Sequence, residues 1–440
     1  MEKEKLKELL VDHKRHFLSR GDLVKREVQK EIEPFIPQRE IIVITGVRRS
    51  GKSSLLRLIC GDLLDKKKVS EADIMYLNFE DERFVSFSVS DFEKLYESFL
   101  ELENPRGRIV LFLDEIQNIP GWERWLNRLY EFEAAKIFVT GSNATLLSSE
   151  ISTALTGRNR QVVTWPFSFK EFLNLKGLEI QPRDVFDRKK KTSVKRLLED
   201  YIHLGGFPEV LKLGETSLLT QYFQDILYRD VIVRYGIKHI KEIKELTLYL
   251  AAHPATVQSY QKLSRFLGLG SLNTVKSYLE ALENVYLFFS TDLFDYSVKR
   301  QIYNPSKIYG IDPALLGSVS FKFSSNLGRL LENLVFLELK RRGKELYYWK
   351  SPKGREIDFI VRKGAEIEEA IQVCLTLEDA KTRKREMEGL LEAKEVLKPR
   401  CLTLIVREEE VIPEGDRRGI TIIPLWQWLL SEKLTNGIIS

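Results

Sequence analysis

The chain reads IIVITGVRRSGKSSLLRLI over residues 41–59, which joins an apolar run, a glycine-bounded loop and a helix-like segment. Residues 46–53 match G-x-x-x-x-G-K-[ST] in full, and the flanking segments are those that the pattern requires. In such a loop, backbone N–H groups and the helix N-terminus point at phosphate oxygens, a lysine reaches the β- and γ-phosphates, and a hydroxyl group ligates Mg²⁺. The residues assigned to this loop are Gly46, Val47, Arg48, Arg49, Ser50, Gly51, Lys52, Ser53 and Ser54, with Lys52 also a catalytic candidate and Ser53 a Mg²⁺ ligand.

Two acidic residues follow a second apolar run, residues 109–113. Asp114 ends that run, where a carboxylate can hold the Mg²⁺ shell of a bound nucleotide. Glu115 comes next and is the candidate to polarise an attacking water. The alternative is a pair of solvated carboxylates at the end of a strand. The phosphate-binding loop upstream favours the catalytic interpretation.

Two further candidates for the site lie downstream. Asn143, or alternatively Ser142, follows the next apolar run and is a candidate to lie beside the γ-phosphate; an ordinary helix N-cap is the alternative. Arg158 is a candidate to supply positive charge to the transferred phosphoryl group, either within its own chain or from a neighbouring subunit. A plain surface arginine is the alternative for Arg158.

Short apolar runs alternate with helical patterns through this region, at residues 41–45, 74–79, 109–113 and 137–140. Continuous apolar strands separated by helices predict a parallel sheet that is covered on both faces. We therefore expect an α/β fold here, followed by a mostly helical stretch and by a second set of strands after residue 306.

Several motifs together resemble the archaeal-type P-loop ATPases of the AAA+/STAND assemblage. They are TGVRRSGKSSLL, LFLDEIQ, VTGSN, LTGR followed by PFSFKEF, and GGFPEV, and they cover roughly residues 40–235. The resemblance implies that Gly206 and Pro208 form a GxP motif in a helical lid that borders the nucleotide. The alternative for these two residues is a helix boundary set by glycine and proline.

Residues 258–285 contain two apolar-periodic helices around a glycine-bearing turn, which indicates a helix-turn-helix. The pattern predicts core positions at Leu272, Val275, Leu279 and Leu282. It predicts exposed, candidate DNA-binding positions at Asn273, Thr274, Lys276 and Ser277, with Lys299 and Arg300 on a following wing. The stretch also resembles the winged helix of the same ATPase family. Winged helices bind proteins as well as DNA, so both partners stay open.

The C-terminal residues 306–440 resemble the PD-(D/E)XK nuclease fold, in which acidic groups hold Mg²⁺ and a lysine assists the attacking water. The resemblance makes Glu332, Asp358 and Gln372 candidates for a weak second metal site. The chain departs from the pattern, because Gln372 stands where an acid is usual and Cys374 where the lysine belongs. We therefore expect an inactive nuclease fold, unless Lys340 or Lys350 takes over the role of the missing lysine.

Composition bounds the remaining possibilities. The 440 residues are 43% hydrophobic and 30% charged, as in a folded protein, and the net charge of +5 is too small to mark the whole chain as a nucleic-acid binder. No apolar run approaches the roughly 18 residues of a membrane span, so we expect no membrane partner. Three widely spaced cysteines favour a reducing cytoplasm over a zinc site or disulfides. Dense charge with few Met and Cys favours a thermophilic source.

The sequence thus predicts a Mg²⁺-dependent ATPase whose nucleotide state moves DNA- or protein-binding C-terminal domains. The alternatives are a slow nucleotide-gated switch that binds DNA or a protein, and an ATP-driven, metal-dependent nuclease. An oligomer is possible, since many AAA+ relatives form rings. The expected domains are an N-terminal helical segment 1–40, a P-loop core 41–167, a helical lid 168–252, a winged helix-turn-helix 253–305 and a nuclease-like domain 306–440.

Overall fold

The computed structural model describes residues 1–19, 21–144, 157–320, 327–351, 353–410 and 412–431. The chain divides into two compact units, and each is described by itself. The first comprises Met1–Pro166 together with Asn284–Tyr286, and the second comprises Phe167–Glu283 with Leu287–Ser440.

The first unit is built on a five-stranded sheet in the order β2-β3-β4-β1-β5, in which all neighbours are parallel. Its strands are β1 (Ile41–Thr45), β2 (Ile74–Asn78), β3 (Val110–Asp114), β4 (Lys136–Gly141) and β5 (Asn159–Val163). Every residue of β1, β3 and β4 is buried, which is why these strands are continuous apolar runs in the sequence. The predicted parallel sheet is therefore confirmed.

Helices cover both faces of this sheet. They are α1 (Lys3–Leu18), α2 (Gln29–Ile32), α3 (Lys52–Asp65), α4 (Asp91–Glu103) and α5 (Trp122–Phe132), with short 3-10 turns at Glu33–Phe35, Glu71–Asp73, Glu82–Phe84 and Ile116–Asn118. Successive strand residues point to opposite faces, so Val43 of β1 belongs to one core cluster and Ile44 to the other. Leu6 and Leu9 of α1 lie in the first of these clusters. The N-terminal helix is thus part of this unit's core.

The second unit begins with helices, as the sequence predicts. They are α6 (Phe169–Leu175), α7 (Arg188–Leu204), α8 (Pro208–Leu213), α9 (Ser217–Asp225) and α10 (Ile240–Ala252), with a 3-10 turn at Pro182–Phe186 and a π-helical stretch at Ile226–Val233. The basic run at the start of α7 is exposed or half-buried and follows an N-cap at Asp187, whose carboxylate accepts from the N–H groups of Lys189 and Lys190 at 2.8 and 3.0 Å.

A small antiparallel sheet follows, in the order β6-β8-β7. Its elements are β6 (Thr256–Gln258), α11 (Tyr260–Phe266), α12 (Leu272–Asn284), β7 (Phe288–Thr291), α13 (Val298–Tyr303) and β8 (Ser306–Gly310). Two helices joined by a short turn do occupy the predicted stretch. Leu272 is an exception to the predicted core, because it lies at the first position of α12 and is 41% exposed.

The C-terminal part contains a five-stranded mixed sheet in the order β13-β12-β11-β10-β9. Strands β9 to β11 pair antiparallel, and β11 to β13 pair parallel. The elements are α14 (Pro313–Ser318), α15 (Leu327–Arg341), β9 (Glu345–Lys350), β10 (Glu356–Lys363), β11 (Glu366–Cys374), α16 (Ala380–Leu397), β12 (Cys401–Val406), α17 (Glu414–Arg417), β13 (Thr421–Pro424) and α18 (Leu425–Leu430). The predicted second α/β sheet is therefore present.

Candidate nucleotide-binding site

The glycine-bounded loop joins the buried strand β1 to helix α3. Gly46 has φ +147° and Gly51 has φ +96°, which are conformations that favour glycine. A Cβ atom on Gly46 would lie 2.1 Å from the carbonyl oxygen of Thr164, so no other residue fits there without a shift of the backbone. The side-chain oxygen of Ser50 is buried and has no hydrogen-bond partner among the described residues. Loop geometry and an unsatisfied hydroxyl group both suit a bound anion.

Lys52, the first residue of α3, is only 5% exposed. Its ammonium group donates to the carbonyl oxygens of Gly46 and Val47 at 3.2 and 3.3 Å. The same group lies 3.2 Å from Oε1 of Glu115. The lysine therefore lies over the loop and contacts the carboxylate that the sequence predicts as catalytic.

Arg26 also holds the loop, and sequence reasoning missed it. Its guanidinium donates to the carbonyl oxygens of Ser50 at 3.0 Å and Trp165 at 2.6 Å. Arg26 is 6% exposed and lies far upstream of the loop, within a stretch that has no recognisable motif. Because two loop-side carbonyl groups depend on one buried cation, Arg26 is a positioning residue for the phosphate-binding loop.

Asp114 is the last residue of β3 and is fully buried. Its Oδ2 accepts a hydrogen bond from the Tyr76 hydroxyl at 3.1 Å, and Oδ1 accepts one from the Thr140 hydroxyl. Burial and the adjacent charge of Glu115 raise the pKa of Asp114, against the hydrogen bond that it receives from Ser53. The contact between Asp114 and Ser53 brings together the two predicted Mg²⁺ ligands.

Glu115 has φ +51°, and its N–H donates to the Thr140 hydroxyl at 2.9 Å. Burial alone would raise the pKa of Glu115, but the positive charges of Lys52 and Arg48 and a hydrogen bond from Gln117 outweigh it and hold the pKa below its ordinary value. The carboxylate is therefore ionised at neutral pH and can accept a hydrogen bond from water.

The strand order explains why these groups meet. Strand β4 lies between β1, which leads to the loop, and β3, which ends at Asp114. Thr140 near the end of β4 therefore contacts the acidic pair, while Ser142 and Asn143 follow just beyond and are buried, at 1% and 5% exposure. A small polar residue near a strand end is a pattern that could have identified Thr140. The sequence analysis applied this pattern to Asn143 and Ser142 and overlooked Thr140. The role of Asn143 beside a γ-phosphate stays a prediction.

The residues present fit a nucleotide with Mg²⁺. A serine hydroxyl and a buried carboxylate are oxygen donors of the kind that Mg²⁺ takes. The tight loop, the Ser50 hydroxyl and Lys52 offer donors to phosphate oxygens. When bound, Mg²⁺ would be held by Ser53 and Asp114 and would neutralise charge on the phosphates.

Comparisons with known proteins agree with this geometry. A family model described as an AAA domain matches residues 38–173, which include the loop and the acidic pair. Two models described as domains of unknown function, DUF8612 and DUF4143, match residues 195–326 and 327–428.

Two relatives match nearly the whole chain. The uncharacterized protein MJ1544 of Methanocaldococcus jannaschii is 35% identical over 424 residues, which are 92% of this chain and 91% of the relative. An uncharacterized protein of Haemophilus influenzae is 32% identical over 421 residues, or 94% of this chain and 98% of the relative. The chain belongs to the family of these two proteins, and its residues 38–173 form a P-loop AAA domain. The family includes members from an archaeon and from a bacterium.

Among solved structures, the chain is similar to Cdc6p from Pyrobaculum aerophilum, at 13% identity over 73% of this chain and 98% of the other. The TM-score of 0.28 is too low for that likeness to add to the argument. Among the described residues, none of the helices has both the length and the apolar character to span a bilayer.

Arg158 lies away from the phosphate-binding loop of its own chain. Its carbonyl oxygen accepts from the N–H of Ile41 at 2.9 Å, at the start of β1, whereas the loop follows the other end of that strand, about 13 Å further on. Its guanidinium contacts Asn127 and lies 2.9 Å from Glu131. The structure does not support a role for Arg158 on the nucleotide of its own chain, and a role on a neighbouring subunit stays a prediction. Leu155 and Thr156 of the LTGR motif lie outside the described residues.

Gly206 and Pro208 belong to the second unit. The N–H of Gly206 donates to Oδ2 of Asp312 at 2.7 Å, and its carbonyl oxygen accepts from the N–H of Phe167 at 2.7 Å. Pro208 is the first residue of α8, where its fixed φ suits a helix start. Both residues thus lie at a helix boundary. Their contact with the nucleotide stays a prediction.

The candidate DNA-binding positions of the helix-turn-helix are accessible on α12. Asn273, Lys276 and Ser277 are exposed and Thr274 is half-buried. Lys276 lies over the ring of Tyr260 at 5.2 Å. Lys299 and Arg300 lie on the short helix α13 and not on a strand, because the connection between β7 and β8 is helical. The winged helix and its contact with DNA stay predictions.

The structure brings the three candidate residues for a weak second metal site to one cavity, which Glu332, Asp358 and Gln372 all line. Sequence reasoning missed the residue that dominates it, the buried Lys307. Lys340 does not line this cavity, and Lys350 does so at the rim. Within the described ranges, no group of three or more His, Cys, Asp and Glu side chains is arranged to hold a metal ion.

Proposed function

We propose that this AAA+ ATPase binds ATP with Mg²⁺, hydrolyses it, and uses the nucleotide state to move C-terminal domains that bind DNA or a protein. The observation that carries the proposal is the contact between Lys52 and Glu115, at 3.2 Å, beside the buried Asp114 and the exposed Ser53 that donates a hydrogen bond to it. Lysine, ionised base and oxygen ligands are the parts that phosphoryl transfer to water requires.

Each residue has a distinct task in this proposal. Lys52 binds the β- and γ-phosphates, and to do so it exchanges its loop carbonyl partners for phosphate oxygens. Glu115, ionised at neutral pH, orients the attacking water and accepts its proton at the carboxylate. Asp114 stays hydrogen-bonded to Thr140 and keeps the end of β3 in place. The buried setting strengthens each of these electrostatic contacts.

A slow nucleotide-gated switch is the second candidate, and one observation favours it. Glu115 is engaged by both Lys52 and Gln117 in this structure, so a water must compete with two existing partners. If these contacts persist when ATP is bound, turnover is slow and the bound state lasts. The chain would then act through binding of DNA or a protein partner while ATP remains intact.

Steady-state phosphate release in MgATP separates these candidates. We expect Lys52→Ala to lose nucleotide binding, and Glu115→Gln to bind ATP but hydrolyse it about 10²–10⁴-fold more slowly, as loss of a general base does. Lys66→Ala is the matched control, since Lys66 is an exposed lysine just beyond the same helix. Unchanged turnover in Glu115→Gln would contradict the proposal.

The same assay with single-stranded, duplex and forked DNA tests the coupling. Stimulation by one DNA form would identify the substrate class. Negligible turnover in the wild type, combined with DNA affinity that depends on nucleotide, would favour the switch. Turnover that no DNA form changes would point to a protein partner.

A further inference from the structure

A cavity of about 620 Å³ lies in the C-terminal part of the second unit, a volume typical of ligand sites. It is formed by residues of β6, β8, α15, β9, β10, β11 and α16 and of the loop between β9 and β10. Four of its lining side chains are acidic and six are basic. The basic ones are Lys307, Arg329, Lys350, Lys353, Arg355 and Arg385.

Lys307 lies at the floor of this cavity, with its side chain 3% exposed. Its ammonium nitrogen lies 2.6 Å from Glu332 Oε1, 2.8 Å from Glu356 Oε1 and 2.9 Å from Asp358 Oδ1. An ammonium group has three protons, so each carboxylate receives one. One tethered cation therefore occupies the point at which three carboxylates converge.

The carboxylates have little capacity left. Asp358 also accepts from the N–H of Val373 at 3.0 Å, and Glu332 accepts from the Tyr309 hydroxyl at 2.7 Å. The ammonium group of Lys307 contacts all three carboxylates and so balances much of their charge. A divalent cation would have to displace a hydrogen-bonded ion of its own sign from a dry site, which is costly.

The two residues that depart from the nuclease pattern, Gln372 and Cys374, also favour a cavity without a metal ion. Gln372 is neutral, and its Oε1 accepts from the backbone N–H of Asp358 at 3.2 Å, so it supports the strand. Cys374 does not line the cavity; its thiol donates to the carbonyl oxygen of Thr376 at 3.1 Å. Burial raises the pKa of this thiol to about 11, which keeps it protonated and uncharged.

The rim of the cavity carries basic side chains that are not paired with its carboxylates. Arg329 and Lys353 are exposed and line the cavity, and neither forms an ion pair within the described part of the chain. Glu332, Glu356 and Asp358 are already satisfied by Lys307. The accessible charge facing the cavity is therefore positive, which suits an anion with several oxygen acceptors.

We propose that this cavity binds a phosphate group without a metal ion, and that Lys307 is a tethered replacement for the divalent cation of a nuclease-like site. The phosphate belongs either to a nucleic-acid backbone or to a small phosphorylated ligand. The inference deepens the proposed function and rests on it for the consequence that ATP controls this binding. Binding itself is measured without ATP, so the two proposals fail separately.

The first test uses full-length protein in EDTA, free of nucleotide. A labelled single-stranded DNA, a labelled duplex and inorganic phosphate are titrated against the wild type and the double variant Arg329→Ala/Lys353→Ala. We expect the double variant to bind at least about tenfold more weakly, since two charge-assisted bonds are lost. Lys381→Ala/Lys384→Ala, two exposed lysines of α16, is the control and should bind as the wild type does.

The probes separate the sources of the phosphate. If inorganic phosphate does not compete with bound DNA, the phosphate group belongs to a nucleic-acid backbone. If inorganic phosphate competes effectively, the phosphate group belongs to a small ligand. No binding of any probe in EDTA, or equal binding by the double variant, overturns the proposal.

Lys307→Met tests the replacement of the cation. With the ammonium removed, Glu332, Glu356 and Asp358 repel each other and the phosphate, so binding in EDTA should be lost. Mn²⁺ or Mg²⁺ should restore it in this variant, while wild-type binding should not respond to either ion. A folded variant, checked by circular dichroism and ATP binding, that shows no response to metal contradicts this role of Lys307. If Lys307→Met does not fold, the rim variant still decides whether the cavity binds phosphate.

Discussion

The hydroxyl groups of Thr45 and Tyr286 lie 2.6 Å apart in the first unit. Thr45 is the last residue of β1, immediately before the phosphate-binding loop, and Tyr286 comes two residues after α12. Next to this contact, the N–H of Ala144 donates to the carbonyl oxygen of Asn284 at 2.7 Å. The segment Asn284–Tyr286 is therefore hydrogen-bonded to the last residue of β1 and to a residue just beyond β4, within the same unit. We expect the nucleotide state to be coupled to residues 284–286 through these bonds.

Tyr286→Phe should weaken this coupling. The variant removes one buried hydrogen bond, which costs about 1 kcal/mol and lowers the unfolding midpoint by about 2–4 °C. ATP binding should be kept, because Tyr286 does not belong to the loop. Hydrogen exchange at residues 284–287 should slow on addition of ATP in the wild type and not in the variant.

The control for this variant is Tyr303→Phe, at a tyrosine that is 79% exposed. It should change neither the midpoint nor the exchange. An ATP response in Tyr286→Phe equal to that of the wild type would show that the hydroxyl contact does not carry the coupling.

Gly46→Ala should abolish nucleotide binding. The added Cβ meets the carbonyl oxygen of Thr164 at 2.1 Å, and φ +147° is strained for alanine, so the loop must move. Gly61→Ala is the matched control, because Gly61 lies inside α3 with nothing within 4 Å of an added Cβ. That variant should gain up to about 1 kcal/mol of stability, as Gly to Ala does in a helix interior. Fluorescent-nucleotide titration measures the nucleotide affinity of each variant, and thermal unfolding measures its stability. A similar loss of nucleotide affinity in both variants would refute the steric explanation for Gly46.

Arg26→Ala should weaken ATP binding indirectly, through the phosphate-binding loop that Arg26 positions. The substitution removes the hydrogen-bond donor to the carbonyl groups of Ser50 and Trp165. A hydrogen bond to a charged group contributes about 1.5–3 kcal/mol. We expect the dissociation constant for ATP to rise about tenfold or more, while the maximal hydrolysis rate changes less. Arg124→Ala, at an exposed arginine of α5, should leave both unchanged. A loss of maximal rate without loss of affinity would instead place Arg26 in the catalytic step.

Asp312 should give the second unit a pH-dependent stability. Burial raises the pKa of Asp312 to about 6, against the N–H groups of Leu315 and Gly206 that donate to it. Between about pH 4 and pH 6 the folded state holds the proton and the unfolded state does not. Stability from this group is therefore complete below about pH 4 and is lost as the pH rises to 6.

Urea unfolding from pH 4 to 7 tests this sign. Asp312→Asn cannot titrate, so the fall in stability across that window should shrink in the variant. Asp379→Asn is the control, since Asp379 caps α16 at an exposed position and its hydrogen bonds to Thr382 lower its pKa. It should leave the fall in place. An identical pH profile for Asp312→Asn and the wild type would contradict the assignment to Asp312.

Much of the fold and part of the site were predictable from local pattern. The buried strands β1, β3 and β4 appear as continuous apolar runs, because both faces of a parallel sheet are covered. The phosphate-binding loop is equally legible, because its geometry depends on glycines at fixed spacing within a few residues. Asp114 and Glu115 follow from their position at a strand end, without any knowledge of the neighbouring strand.

Other residues gain their meaning only from distant parts of the chain. Lys307 looks like an ordinary strand lysine until Glu332, Glu356 and Asp358 converge on it, and Arg26 has no motif around it. Arg158 matched a motif, yet the strand direction places it at the opposite edge of the sheet from its own loop.

The sequence by itself thus determined the fold class, the nucleotide loop and the acidic pair, since periodicity and spacing act over short stretches. Only the tertiary structure decided that Arg26 holds the loop and that Tyr286 joins β1. It also decided that Lys307 lies where Glu332, Glu356 and Asp358 converge. These contacts arise from burial, which forces polar groups far apart in the chain to satisfy one another wherever the packed core brings them together.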